Sequence, residues 1–354
     1  MIIILFNIFL LLIYWVVIKS IEPSNYNRQK TAYLRVCFIH ILLLYILKDN
    51  SFFTDLDAYS IYFRSLKTGF NDLGHERIDD RFEIGWYVLN KVVKALGGHI
   101  LFVFLISYFF ILGSFLKFIN KYSNSVWISV VLYMCSCFYD SLFVLRQWVA
   151  IAICLWSIPY ILNRSFMKFM LYALLAFSFH YSALIWIFSY FLYNVGNKKR
   201  NFIVLVVFFV FGFFLLNIII DYLMTIFPAL QAYTLGEKLD PLGLKTKPMY
   251  INLLTLAFCY YCLGGIENMN KSERLFFLMV ICCLFMNVIT AFDNSFVLFS
   301  RLNLYYGVAA VVLLPNAIVK INDVAIRFLV AMIILFCYIL LLNGNAQYGY
   351  QLCI

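Results

Sequence analysis

The chain has 354 residues, of which 65% are hydrophobic, 20% aromatic and 12% charged, and its mean hydropathy is +0.91. A soluble domain of this length needs a far more polar surface, and a closed β-barrel needs alternating rather than continuous apolar runs, so both are excluded. The formal net charge of +10 lies mostly in short loops; positive residues placed there orient membrane helices and are not a nucleic-acid footprint.

The class is therefore all-α, a polytopic integral membrane protein read as one membrane domain over 1–354. In chain order the apolar runs predict membrane helices at 2–18, 33–47, 100–116, 125–140, 147–162, 168–179, 182–193, 201–220, 249–264, 274–292, 302–319 and 325–342, about twelve in all. The first run has no basic region before it and no small-residue cleavage site after it, so it reads as a retained helix rather than a removed signal peptide. Segment 84–96 is amphipathic, carries Lys91 and Lys94 and ends in Gly97-Gly98, which predicts a short interfacial or re-entrant helix. Two long connections remain. One covers 48–83, with eight acids and five bases, and extends through the amphipathic segment to 99; the other covers 221–248, rich in proline and glycine.

Sidedness follows from charge. Placing loops 19–35, 117–124, 163–168, 196–201, 265–274 and 320–327 in the cytoplasm gives them 15 of the 27 Lys/Arg and only 4 of the 17 acids. The opposite side then holds 12 bases and 13 acids, the asymmetry expected of a helical membrane protein. Both termini and both long connections fall outside. Lys168 and Lys198 should both be cytoplasmic, and the predicted helices between them, 168–179 and 182–193, have only 12 residues each, or ~18 Å, on either side of the His180 turn. The turn Phe179-His180-Tyr181-Ser182 should thus sit in a recess below the outer surface.

The ten cysteines lie almost entirely inside apolar runs, where they act as small packing groups, and Cys259-x-x-Cys262 has no partner pair that would make it a metal site.

The outer side gathers the groups that can carry chemistry. Arg146 precedes an outward-starting helix, where backbone N–H groups and a guanidinium together suit an anion; the alternative is an arginine snorkelling to the interface. Arg301 is predicted just ahead of another such helix, with Asp293 as an alternative partner, and the two arginines would suit a pyrophosphate. His180 can take a proton from a sugar hydroxyl, or can be a buried histidine bonded to Ser182 or a tyrosine. Asp55 and Asp57 have the spacing of a metal-binding pair but read better as sugar-binding carboxylates or a general base. Glu83 is either a further acid of the site or the N-cap of the amphipathic helix. His75, Glu76, Asp79, Asp80 and Arg81 read as a solvated loop face. Tyr59, Tyr305 and Tyr306 can stack on sugar rings.

These residues occur in an order that resembles a known family. Asp55-Leu56-Asp57-Ala58-Tyr59 is followed by Glu83-Ile84-Gly85-Trp86, then Leu145-Arg146-Gln147 with Ala150, then Phe179-His180-Tyr181-Ser182-Ala183, then Arg301 with Tyr305. Over roughly residues 45–315 the pattern is similar to the Wzy/EpsG-type bacterial polysaccharide polymerases. The resemblance implies a GT-C-like helical fold and a glycosyltransferase that joins undecaprenyl-pyrophosphate-linked repeat units, donor and acceptor alike, at the outer face of the cytoplasmic membrane. The product would be an O-antigen, capsule or exopolysaccharide. It implies catalytic roles among His180, Asp55, Asp57 and Glu83, pyrophosphate binding by Arg146 and Arg301, and saccharide binding by Tyr59, Gln147, Tyr305 and Tyr306. No metal or other cofactor is required, because the arginines supply the positive charge. A chain-length regulator and a flippase are the implied partners beside the bilayer. The competing classes are a flippase or transporter of lipid-linked saccharides, a membrane O-acyltransferase and a structural scaffold. The first calls for repeat symmetry and a polar path reaching both sides, the second for an inner-facing acid/base pair, and the scaffold leaves the outer arginines unexplained.

Overall fold

The computed structural model describes residues 2–48, 54–68, 82–195, 246–292 and 297–344. The predicted span 201–220, the connection 221–245, the acidic stretch containing His75, Glu76, Asp79, Asp80 and Arg81, and Asp293 lie outside the described residues. What is described is helical, and no β-strand forms among the described residues.

The helices are α1 (Ile2–Ile21), α2 (Tyr26–Leu47), α3 (Thr54–Ser65), α4 (Ile84–Ala95), α5 (Ile100–Tyr122), α6 (Val126–Ser136), α7 (Phe138–Ser141), α8 (Leu145–Leu162), α9 (Phe166–Phe179) and, after a 3₁₀ turn at Tyr181–Trp186, α10 (Ile187–Val195). They continue as α11 (Thr246–Cys262), α12 (Lys271–Phe292), α13 (Val297–Gly307), α14 (Ala310–Val319) and α15 (Val324–Gly344). Among the described residues five helices are long and apolar enough to cross a membrane: α1, α2, α5, α8 and α12. The pair α13–α14, bent by 41° at a short break, makes a sixth if it counts as one span. The protein is a multi-pass membrane protein.

Three predicted segments are corrected in detail. The span expected at 125–140 breaks at Cys137 into α6 and the single turn α7. The span expected at 302–319 starts at Val297 and is interrupted between Gly307 and Ala310. The third correction is α3, which lies within a stretch read as loop. Its Leu56, Tyr59, Tyr62 and Phe63, with Leu66 just past its end, recur at helical spacing and are buried, and Asp55 and Asp57 in its first turn favour the positive end of the helix dipole.

The chain forms two compact units. The first comprises Met1–Ile158, Met170–Leu184 and Ala331–Ile354, and the second Pro159–Phe169 and Ile185–Val330. In the first unit α1, α2, α5 and α6 pack together and α3 lies on α4. Lys91 and Lys94, the residues that mark α4 as amphipathic, do not face solvent together: Lys91 is fully buried. Its Nζ donates to the carbonyl of Lys67 at 3.1 Å, and Lys94 donates to those of Phe63 and Arg64 at 2.8 Å. Two lysines thus satisfy the open carbonyls at the C-terminal end of α3, where positive charge is favoured.

A buried hydroxyl cluster fixes the approach to α8. The Tyr45 hydroxyl meets Tyr133 at 2.6 Å and also bonds Ser141 Oγ, and its ring stacks on Tyr108 with centroids 4.6 Å apart. Tyr108 in turn donates to the carbonyl of Leu142 at 2.8 Å. Away from water each such group must find a partner in the protein, so the short segment between α7 and α8 is tied to α2, α5 and α6 by bonds that are costly to break.

In the second unit α11, α12, α13 and α14 pack together and α10 lies on α12. A buried polar row runs through it. The Asn252 and Asn287 amides donate to Cys283 Sγ at 3.3 and 3.6 Å, and Asn303 donates to Asn287 Oδ1 at 2.5 Å. Lipid is as apolar as leucine, so such bonds and close packing, rather than hydrophobic burial, join helices in a bilayer. Cysteine here does more than fill space, while Cys37, Cys135, Cys154, Cys259 and Cys282 are buried as packing groups. The turn between α8 and α9 places Arg164 at φ 58°, a left-handed conformation. Its guanidinium donates to the carbonyl of Tyr190 at 3.2 Å and lies 4.7 Å from that ring, while the Tyr190 hydroxyl donates back to the Arg164 carbonyl at 3.0 Å.

Candidate functional site

Arg146 is the second residue of α8, as its sequence position suggests, and its side chain is largely buried within the first unit. The guanidinium pairs with Glu83 Oε2. It also lies 4.7 Å from the centroid of the Phe82 ring and 5.6 Å from that of Tyr59, so two aromatic faces flank the cation. Protein groups, an acid and two aromatic rings, therefore surround the Arg146 guanidinium.

Glu83 occupies the N-cap position of α4, but its side chain makes no capping bond there. It faces the other way. One carboxylate oxygen takes Arg146, and the other accepts the backbone N–H of Tyr181 at 3.2 Å. One buried acid thus holds the start of α8 and the turn after α9. Gly85 makes this possible. A Cβ at that position would stand 2.7 Å from both the carbonyl oxygen and Oγ of Ser178 and 2.9 Å from the Phe179 ring. Only the absence of a side chain lets α4 approach the end of α9 closely enough for Glu83 to reach Tyr181.

His180 follows α9 and is buried. Its Nδ1 accepts the backbone N–H of Ser182 at 3.2 Å and lies 2.6 Å from Ser182 Oγ. The first two N–H groups of the 3₁₀ turn are therefore taken by Glu83 and His180. The contact with Ser182 is the alternative expected from the sequence.

Tyr59 on α3 is buried against Trp86, with ring centroids 5.0 Å apart, and the Arg146 guanidinium lies over its ring. Asp55 precedes Tyr59 by four residues, one helical turn, so the two share a face of α3. Asp57 is exposed on another face, and carboxylates two residues apart on a helix diverge rather than grip one ion. Gln147, next to Arg146, is fully buried.

Arg301, Tyr305 and Tyr306 belong to the second unit, on α13. Arg301 sits in the second turn of α13 rather than ahead of a helix, because the helix already begins at Val297. Tyr305 and Tyr306 are fully buried. The Tyr306 hydroxyl donates to the carbonyl of Ile185 at 2.7 Å, and its ring stacks near Trp186.

The first unit thus brings together His180, Glu83, Arg146 and Tyr59, with Asp55 on the same face of α3 as Tyr59. Sequence reasoning missed Phe82, and it quoted Gly85 within the motif Glu83-Ile84-Gly85-Trp86 without giving it a role.

Within the first unit of this helical membrane protein a guanidinium, a carboxylate and an imidazole are thus assembled around one turn. The EpsG family model matches residues 32–352, and the chain belongs to that family, one of polysaccharide polymerases. No curated protein and no solved structure matches the chain.

Proposed function

We propose that the protein lengthens a surface polysaccharide by joining undecaprenyl-pyrophosphate-linked repeat units at the outer face of the bacterial cytoplasmic membrane. About twelve membrane helices in a GT-C-like arrangement would carry the site, with a lateral groove for the prenyl chain. The observation that carries the reading is the single buried carboxylate of Glu83 joining Arg146 to the His180 turn. A guanidinium held this way is fixed in direction before substrate arrives, which is the condition under which charge stabilises a leaving group most.

In the reaction an acceptor hydroxyl oxygen attacks the anomeric carbon of the donor chain. The bond from that carbon to the pyrophosphate oxygen breaks, and undecaprenyl pyrophosphate leaves with the electron pair. Arg146 takes up the charge on the leaving group, and Arg301 is the second candidate for it. The proton of the attacking hydroxyl passes to a base, for which His180 and the acids Asp55 and Asp57 are the candidates. Tyr59, and Gln147, Tyr305 and Tyr306 should they become reachable, are the candidate saccharide contacts. A flippase that delivers the units and a chain-length regulator are the partners this chemistry calls for. Deletion of the gene, followed by gel analysis of surface glycan, tests the reading. Loss of the long-chain ladder with one repeat unit retained is the expected result, and an unchanged ladder would refute it.

A further inference from the structure

We propose that Phe82 is a positioning residue for Arg146: its ring, with that of Tyr59, holds the guanidinium in the orientation in which it meets the departing pyrophosphate. The inference deepens the polymerase reading and rests on it for the identity of the substrate. A guanidinium is a flat cation that takes carboxylates through the N–H donors at its edge and is attracted to aromatic faces. Glu83 engages Arg146 through such a donor. Phe82, the residue before Glu83, has the guanidinium carbon over its ring, 4.7 Å from the centroid. Consecutive residues thus grip one cation in two ways, Glu83 by its charge and Phe82 by the negative face of its ring.

Phe82 is itself wedged in place. Its ring lies 4.2 Å from that of Tyr62 and 6.1 Å from that of Tyr59, both on α3. Tyr59 has the same guanidinium over its ring at 5.6 Å and is backed by Trp86 of α4. Helices α3, α4 and α8 therefore meet around one cation. Phe82, Tyr59 and Glu83 are 7%, 4% and 3% exposed, and a ring attracts a cation most strongly where water is excluded. The rings take no part in the bonds made and broken. What they supply is a fixed direction for a charge that acts as the pyrophosphate oxygen leaves with its electrons.

Fluorination tests this in the full-length protein. Replacing Phe82 by phenylalanine with one, two or three ring fluorines keeps the shape of the side chain nearly constant and drains its negative face stepwise. Chain growth from lipid-linked repeat units should slow with each fluorine, by roughly tenfold over the series. The loss should fall on kcat with KM little changed, because the interaction lost is one used in the transition state. A flat series would overturn the proposal in favour of packing alone, and a series that moves only KM would overturn it in favour of direct contact with the saccharide. Thermal unfolding in detergent reads the contact without any reaction. The midpoint should drop with each fluorine while Arg146 is present and stay level in an Arg146→Gln background; equal slopes in the two backgrounds would overturn the proposal. If the unsubstituted protein extends no glycan from competent substrate, the polymerase reading falls and the catalytic role of the contact with it, while the unfolding series still reports the contact.

Discussion

Gly85 and Ser178 touch backbone to backbone: a methyl group on the glycine would stand 2.7 Å from the serine carbonyl oxygen. Atoms this close cannot be relieved by rotating a side chain, so Gly85→Ala must push α4 away from the end of α9. Glu83, two residues earlier, would lose its hold on the Tyr181 N–H. Overpacking of this kind costs ~1–3 kcal/mol, only partly offset by the ~1 kcal/mol by which alanine favours a helix. We expect Gly85→Ala to insert normally, to unfold at lower temperature in detergent and to produce little or no polymer. Wild-type chain growth would show that the close approach is dispensable.

Asp55 and Asp57 separate by helical geometry. Asp55 shares its face with Tyr59 and Asp57 does not. Asp55→Asn should abolish the long-chain ladder, whereas Asp57→Asn should lower chain growth by less than about tenfold, a threshold of roughly 1.4 kcal/mol in barrier. The reverse ranking would show that α3 presents its other face to substrate.

Lys91 and Lys94 hold the C-terminal end of α3 through three carbonyl groups. Lys91→Met removes a bond from a charged donor, worth about 1.5–3 kcal/mol, while keeping most of the side-chain volume. Increased hydrogen exchange confined to α3, with the other helices unchanged, is the expected signature. Unchanged protection of α3 would mean that its packing on α4 suffices.

Much of this fold was legible in the sequence because apolar length is read directly. The ends of α5, α8 and α9 fall within a few residues of the predicted runs except at the C-terminus of α5, which extends to Tyr122. The site was legible in part. Glu83, Arg146 and His180 stood out as ionisable groups in an apolar chain, and the structure joins them. Their roles were not legible, since those depend on which atom faces which: Glu83 turns away from its own helix, and His180 spends a nitrogen on Ser182. α3 was missed because its apolar face is mixed with acids and serines in a charged stretch. Arg164 and Lys91 were read as topology signals, yet each is bonded to named backbone carbonyls.

Sidedness is a separate expectation. Tyr181, half-exposed beside His180, and Ser300, exposed beside Arg301, should both open to the outer compartment. Tyr181→Cys and Ser300→Cys should each react with a membrane-impermeant thiol reagent added outside intact cells. Labelling of the two from opposite compartments would contradict the sidedness read from loop charge.

Reconstitution tests the account most directly. Purified protein in liposomes, given only lipid-linked repeat units, should produce a ladder of longer glycans and release undecaprenyl pyrophosphate in step with each bond formed. Arg146→Ala should stop both, with the helical content of the protein retained. A ladder of normal length from that variant, or no ladder from the unsubstituted protein in the presence of competent substrate, would contradict the assignment of chain growth to the Glu83–Arg146–His180 centre.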